Sequence, residues 1–243
     1  MYSEGLCGYH IVHVTLRNTS GPLIPNLMIM EANMVKTKVL VTGLSGTIGH
    51  IIGQFLGDKY EMSGLDLSPA KGFNTHVADL SDLGAITSAF KDQDVVVHLG
   101  AAASGGAPWE SVLKNNIVGT YNVMEASREM GVKRVVFAST NHVAGYVPQT
   151  QSPYNDIFEG RLDKVRWPFP LISAETVRPC CYYAVGKSFG ESLGSFYNDR
   201  HGISFIAIRI GGVLTEHDWQ IRHKGGLSMW LSHRDAAQIV ERS

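Results

Sequence analysis

From Lys38 onward, short apolar runs alternate with amphipathic stretches. Val39-Leu40-Val41 is unbroken by polar residues and ends in Thr42-Gly43, the pattern of a strand covered on both faces. Ile48, Ile51, Ile52 and Phe55 then recur at helical spacing, which predicts a helix over 48–56. Strands are expected at 60–65, 76–78, 95–99, 135–138 and 204–210. Helices are expected at 81–90, 109–130 and 183–201, the last two stopped by Gly131 and Gly202. Between Gly145 and Cys181 the pattern is irregular and proline-rich, and a final helix opens at His233.

Strands alternating with helices imply right-handed crossovers and a parallel sheet. The expected fold class is therefore α/β, a single doubly wound, Rossmann-like domain over residues 35–243, with substrate loops at 145–181 and 211–230. Soon after Asp235 the sequence ends, so the sheet is expected to lack its last strand. Residues 1–34 show no sustained period and are broken by Gly21, Pro22 and Pro25, which reads as a poorly ordered N-terminal extension.

Composition narrows the function classes. An apolar share of 44% with 18% charged residues over 243 positions excludes a disordered chain. A net charge of −1 provides no basic field for nucleic acid, and no apolar run approaches a membrane span. Cys7, Cys180 and Cys181 form no disulfide or zinc spacing and read as ordinary residues of a reducing cytoplasm. The histidines form no metal-ligand spacing either, and His98 reads as a packed residue at a strand end. No metal is expected.

In a doubly wound sheet, ligands bind beyond the carboxyl ends of the strands. Gly43-Leu44-Ser45-Gly46-Thr47-Ile48-Gly49 lies between the first strand and the first helix with the spacing G-x-x-G-x-x-G. The first glycine permits the turn, the second lets a pyrophosphate approach the backbone, and the third allows close helix–strand contact. N–H groups at the helix start, aided by the helix dipole, would face the phosphates. Asp66, ending the second strand, suits ribose hydroxyls and would repel a 2′-phosphate, so NAD is favoured over NADP. Asp79-Leu80 ends the third strand, where the aspartate would meet the adenine amino group. Tyr183 and Lys187 stand at i and i+4 on a helix and share a face. An ammonium near a phenol favours phenolate, so the tyrosine can act as a base.

Jointly, Gly43-x-x-Gly46-x-x-Gly49, Asp66, Asp79-Leu80, His98-Leu99-Gly100-Ala101-Ala102, Asn115-Asn116, Ser139-Thr140 and Tyr183-x-x-x-Lys187 resemble the extended short-chain dehydrogenase/reductase superfamily, the NAD-dependent epimerase/dehydratase group. The resemblance implies that Gly43, Gly46, Thr47, Ile48, Gly49, Asp66, Asp79, Leu80, Leu99, Gly100, Ala101 and Asn116, with Tyr183 and Lys187, bind NAD. It implies Tyr183 as acid/base, with Lys187 on the nicotinamide ribose lowering the tyrosine pKa. Thr140 would orient the substrate oxygen, with Ser139 as the fallback.

Phe137 through Tyr146, Arg209-Ile210-Gly211 and Trp230 through Asp235 are similar to segments of uronate dehydrogenases. That similarity implies sugar contacts from Asn141, His142 and Gly212, and a carboxylate clamp from an arginine, here Arg222. The implied reaction is oxidation of a sugar or uronate C1 hydroxyl to a lactone. Two other readings stand beside it: a nucleotide-sugar epimerase or dehydratase, which needs a larger C-terminal substrate domain, and a non-catalytic NAD-binding protein. The resemblance also implies a homodimer through helices 109–130 and 183–201, although the stripe of Val112, Val123 and Met124 equally suits an internal core.

Overall fold

A computed structural model of the chain describes residues 36–166, 168, 171–213 and 229–243. The expectations for residues 1–34 and for Arg222 lie outside them.

Six strands form one parallel sheet in the order β3-β2-β1-β4-β5-β6. They are β1 (Lys38–Thr42), β2 (Glu61–Asp66), β3 (Asn74–Val77), β4 (Val95–His98), β5 (Arg134–Thr140) and β6 (Ser204–Ile210). The order reverses at β1, whose neighbours are β2 and β4, and ligands bind at such a switch point. The first helix, α1 (Thr47–Leu56), returns from β1. A short α2 (Leu83–Ile86) continues into a 3₁₀ turn at Thr87–Phe90. The long stretch from Trp109 to Met130 comprises α3 (Trp109–Val112), a π-helical segment (Leu113–Val118) and α4 (Gly119–Met130).

The apolar run of β1 is split by the pleat. Val39 and Val41 join Val97 and Val136 in a cluster with Ile51, Ile52 and Leu56 of α1. Leu40 joins Leu65, Val96 and Val135 on the other face, beneath Phe90, Val123 and Met124. The result is three layers. Burying one such side chain removes it from water at roughly 1.5–3 kcal/mol. Val112, Val123 and Met124 are fully buried and belong to this internal core. In α1 the inward position is Leu56 rather than Phe55, which is exposed.

The 145–181 region is less irregular than its sequence implies, holding α5 (Val147–Thr150), α6 (Tyr154–Phe158) and a 3₁₀ turn at Leu162–Lys164. A two-stranded parallel ribbon, β7 (Gly212–Val213) with β8 (Trp230–Leu231), was not foreseen, because two residues carry no period. Ser232 caps α8 (His233–Glu241) by accepting from the Asp235 N–H. Ala237 and Val240 then pack beside α1. Among the described residues no helix is long and apolar enough to cross a membrane.

The 20-residue α7 (Tyr182–His201) carries Gly186, Gly190 and Gly194 on one face. A Cβ at these positions would overlap Asn116 and Val112, the Phe137 ring and the Phe205 ring, respectively. The helix backbone therefore lies directly on β5 and β6. Gly190→Ala is expected to lower Tm by roughly 2–12 °C in a thermal melt, because displacing the fully buried Phe137 outweighs the gain in helix propensity.

Candidate active site

A cleft of about 820 Å³ runs along the carboxyl ends of the strands, from Asp66 and Asp79 at one end to Tyr183, Met229 and Gly212 at the other. Its floor is the β1–α1 turn. Gly43 has φ +76°, and a Cβ on it would lie 2.8 Å from the Gly100 nitrogen, so the turns after β1 and β4 touch. At Gly49 a Cβ would meet the Gly43 carbonyl oxygen at 2.5 Å, which reserves that glycine for packing. Gly46 differs: a Cβ there would have only the Gly43 oxygen nearby, at 3.3 Å, and would otherwise fill the cleft. Helix α1 begins with no side-chain cap and no acidic residue in its first turn. Its unpaired N–H groups therefore suit an anion.

Behind the floor stands His98, fully buried. Its Nδ1 pairs with the Thr42 hydroxyl at 2.7 Å and its Nε2 with Thr120 at 3.1 Å. Thr42 also accepts the Gly100 N–H at 3.1 Å. The strand-end reading of His98 as a packed residue fits this, and the histidine also supports the Gly100 turn.

The adenosine end has two carboxylates. Asp66 accepts from the N–H groups of Ser45 (2.9 Å) and Leu67 (2.7 Å), which fixes the carboxylate beside the glycine turn. Asp79 accepts from the N–H and hydroxyl of Ser81 and pairs with Lys114 at 2.8 Å. That lysine first, then Ser81, holds the Asp79 carboxyl down at about 2. Leu80 packs over Gly100 and Gly119. Thr47, Ile48, Leu99 and Ala101 line the wall. Asn116 does not line it: its side chain accepts the Ala102 N–H at 2.7 Å, shaping the loop from behind. Asn115 takes the cleft-facing position. The π-helical segment carries both residues.

At the other end, Tyr183 and Lys187 both line the cleft, with Thr140 opposite. Burial pushes the Tyr183 phenol up, while its hydrogen bond with Thr140 acts in the opposite direction. Lys187 is 3% exposed, and burial brings its pKa down to about 7. Its Nζ sits 4.6 Å from the Phe137 ring centroid and 5.9 Å from that of Tyr183. Helical spacing thus brings lysine and tyrosine to one face, with the ammonium nearer the phenylalanine.

Ser139 lines the cleft too, but its hydroxyl donates to Glu191 in a very short bond. Glu191 also receives Arg209 through two bonds, of 2.9 and 2.8 Å. Thr140 is consequently the hydroxyl beside Tyr183. Asn141 and His142 follow on a 3₁₀ turn and line the cleft with Gly212. The His142 ring stands edge-on to Tyr183, with centroids 6.3 Å apart.

A grouping missed by the sequence reading lies at this end. The donor atoms of His142, Cys180 and Cys181 all fall within 4.8 Å of one another. His142 lies far from the cysteine pair along the chain, so no local spacing announces the cluster.

The glycine floor, the uncapped helix and Asp66 together fit the pyrophosphate and ribose of a dinucleotide. Comparison with known proteins agrees. The chain is 36% identical over 215 residues to the NAD-dependent glucose-6-phosphate dehydrogenase of Haloferax volcanii, covering 84% of this chain and 78% of that protein. It is 34% identical to the L-arabinose 1-dehydrogenase (NAD(P)(+)) of the same organism, covering 85% and 82%. A crystal structure of a mutant uronate dehydrogenase from Agrobacterium tumefaciens, complexed with NAD, superposes with a TM-score of 0.69 at 32% identity, covering 84% of this chain and 71% of that one.

Two outcomes are expected. Gly46→Val should weaken NAD binding at least tenfold by calorimetry, while costing about 1 kcal/mol of stability through its poorer N-cap. His98 should make the fold acid-sensitive. Burial first, then the charge of Lys187, lowers its pKa from 6.5 to about 3. In that window the unfolded chain binds a proton that the folded chain refuses, so stability falls as pH drops below 6.5. The loss should be about 2 kcal/mol by pH 5 in denaturant titrations, and His98→Gln should flatten that slope.

The NAD dependent epimerase/dehydratase family matches over residues 39–234, and the chain belongs to that family.

Proposed function

We propose that the protein is an NAD-dependent dehydrogenase that oxidises the C1 hydroxyl of a cyclic sugar, foremost a uronate, to the lactone. The observation that carries this reading is the convergence of Thr140, Tyr183 and Lys187 on one end of the cleft whose other end holds Gly46 and Asp66. The similar proteins are named as dehydrogenases of glucose 6-phosphate, L-arabinose and uronate, all small sugars, and the arabinose enzyme's name places its reaction at position 1.

Tyr183 takes the proton from the substrate hydroxyl. Thr140 donates to the same substrate oxygen and holds it against the phenol. Bound NAD supplies the hydride acceptor. Lys187, placed over Phe137, presents its ammonium to the ribose hydroxyls of the nicotinamide end and favours the phenolate when charged. Asn141, His142 and Gly212 line the space for the sugar, and Arg222 is the expected partner of a uronate carboxylate. Asp66 receives the adenosine ribose, which favours NAD over NADP. The enzyme works as a homodimer. Support for that comes from Trp109, Leu113, Tyr121, Tyr182, Val185 and Phe196, all apolar or aromatic and exposed on the two helical stretches.

Because burial holds the phenol neutral in the open cleft, sugar oxidation should accelerate as pH rises above neutrality. Adding glucuronate or galacturonate with NAD should raise NADH absorbance. Tyr183→Phe should cut kcat/KM by about 10²–10⁴-fold with NAD affinity within threefold of wild type. Retained turnover would remove Tyr183 from the chemistry. Silence across uronates, aldoses and sugar phosphates, with NAD carried through purification, would favour an epimerase.

A further inference from the structure

Two nucleophilic side chains behind His142, next to the sugar end of the cleft, have no part in the proposed reaction. Cys180 and Cys181 are partly buried, and both are free thiols. They meet His142 across a paired backbone: the Arg178 N–H donates to the Val143 carbonyl at 2.8 Å, and the Tyr146 N–H donates to that of Arg178 at 3.0 Å. This pairing sets the Cys180 sulfur 3.2 Å from His142 Nδ1. The sulfur also has a reserved seat, since a Cβ on Gly145 would come within 2.5 Å of it. Cys181 occupies the extended N-cap of α7 without bonding back to the helix, and its thiol hydrogen-bonds with that of Cys180 instead.

Two thiols and an imidazole make a soft donor set. Zinc bonds of about 2.3 Å to sulfur and 2.0–2.1 Å to nitrogen put tetrahedral ligand atoms about 3.4–3.8 Å apart. The three donor atoms here span at most 4.8 Å, so side-chain rotation of about 1 Å closes the set. Hard cations prefer oxygen donors, and among the described residues no carboxylate joins this group.

We propose that His142, Cys180 and Cys181 form a binding site for a thiophilic divalent cation, Zn²⁺ foremost, whose occupancy shuts the sugar end of the cleft. Binding forms two Zn–S bonds and one Zn–N bond, and the two thiol protons leave to solvent. Among the described residues no fourth side chain joins them, which leaves one coordination position to water. His142 is withdrawn from the sugar and held to the metal beside the Tyr183 ring. The glycine floor lies at the opposite end, so NAD binding continues. The metal site stands on its own geometry, whereas its inhibitory effect rests on the sugar dehydrogenase reading.

Cobalt titration of the NAD-loaded protein tests the site independently of turnover. One equivalent of Co²⁺ should produce a thiolate-to-cobalt charge-transfer absorbance and tetrahedral visible bands, both displaced by Zn²⁺. Cys180→Ser and Cys181→Ser should each weaken Zn²⁺ binding at least about 100-fold, more than the loss from an outer-shell partner. Cys181→Ala, checked by circular dichroism, replaces any serine variant that misfolds. In wild type, micromolar Zn²⁺ should raise the sugar KM, leave NAD affinity unchanged and be reversed by chelator. The cysteine variants should keep wild-type turnover without that sensitivity. Absence of the charge-transfer band, or equal Zn²⁺ affinity in the double variant, overturns the site. A metal-loaded enzyme with unchanged sugar kinetics overturns the inhibition alone.

Discussion

The contact between the turns after β1 and β4 is the constraint on which the site depends. Gly43 lies so close to Gly100 that a Cβ on it would come within 2.8 Å of the Gly100 backbone nitrogen, and at Gly100 a Cβ would press on the end of Leu80. This closeness carries the first turn of α1 to the rim of the sheet, where its N–H groups open into the cleft. His98 keeps the arrangement in place without exposing charge, because a neutral imidazole can bridge Thr42 and Thr120 inside an apolar layer. Binding capacity thus arises from backbone geometry, supported by one buried polar chain.

The chemistry is positioned by a second absence of side chains. The glycine face of α7 sets the helix onto Phe137 and Phe205, and the same Phe137 ring lies under the Lys187 ammonium. A lysine buried with no carboxylate partner among the described residues is costly to charge, which is why its pKa falls to about 7.

Much of this was legible in the residues. Continuous apolar runs announced two-sided strands, and the glycine spacing between strand and helix located the phosphate floor. Tyr183 and Lys187 could be paired because helical geometry is regular. Where regularity fails, the reading failed with it. Asn115 lines the cleft, whereas Asn116, which the resemblance singled out, braces the Ala102 loop behind it. Thr140 was already preferred over the adjacent Ser139, whose hydroxyl turns instead to Glu191 on a distant helix. The nearness of the cysteine pair to His142 had no local signal, because the histidine arrives by tertiary pairing of a long loop.

Arg209 reaches from β6 to the Thr176 carbonyl at 2.9 Å while its other nitrogens hold Glu191. One end of the 145–181 excursion is therefore moored to the sheet edge, close to where its backbone runs beside Val143. The intervening helices can be exchanged or resized with little leverage on Thr140 or Tyr183. Sugar preference in such a scaffold is free to drift within that span while the reacting oxygen keeps its address.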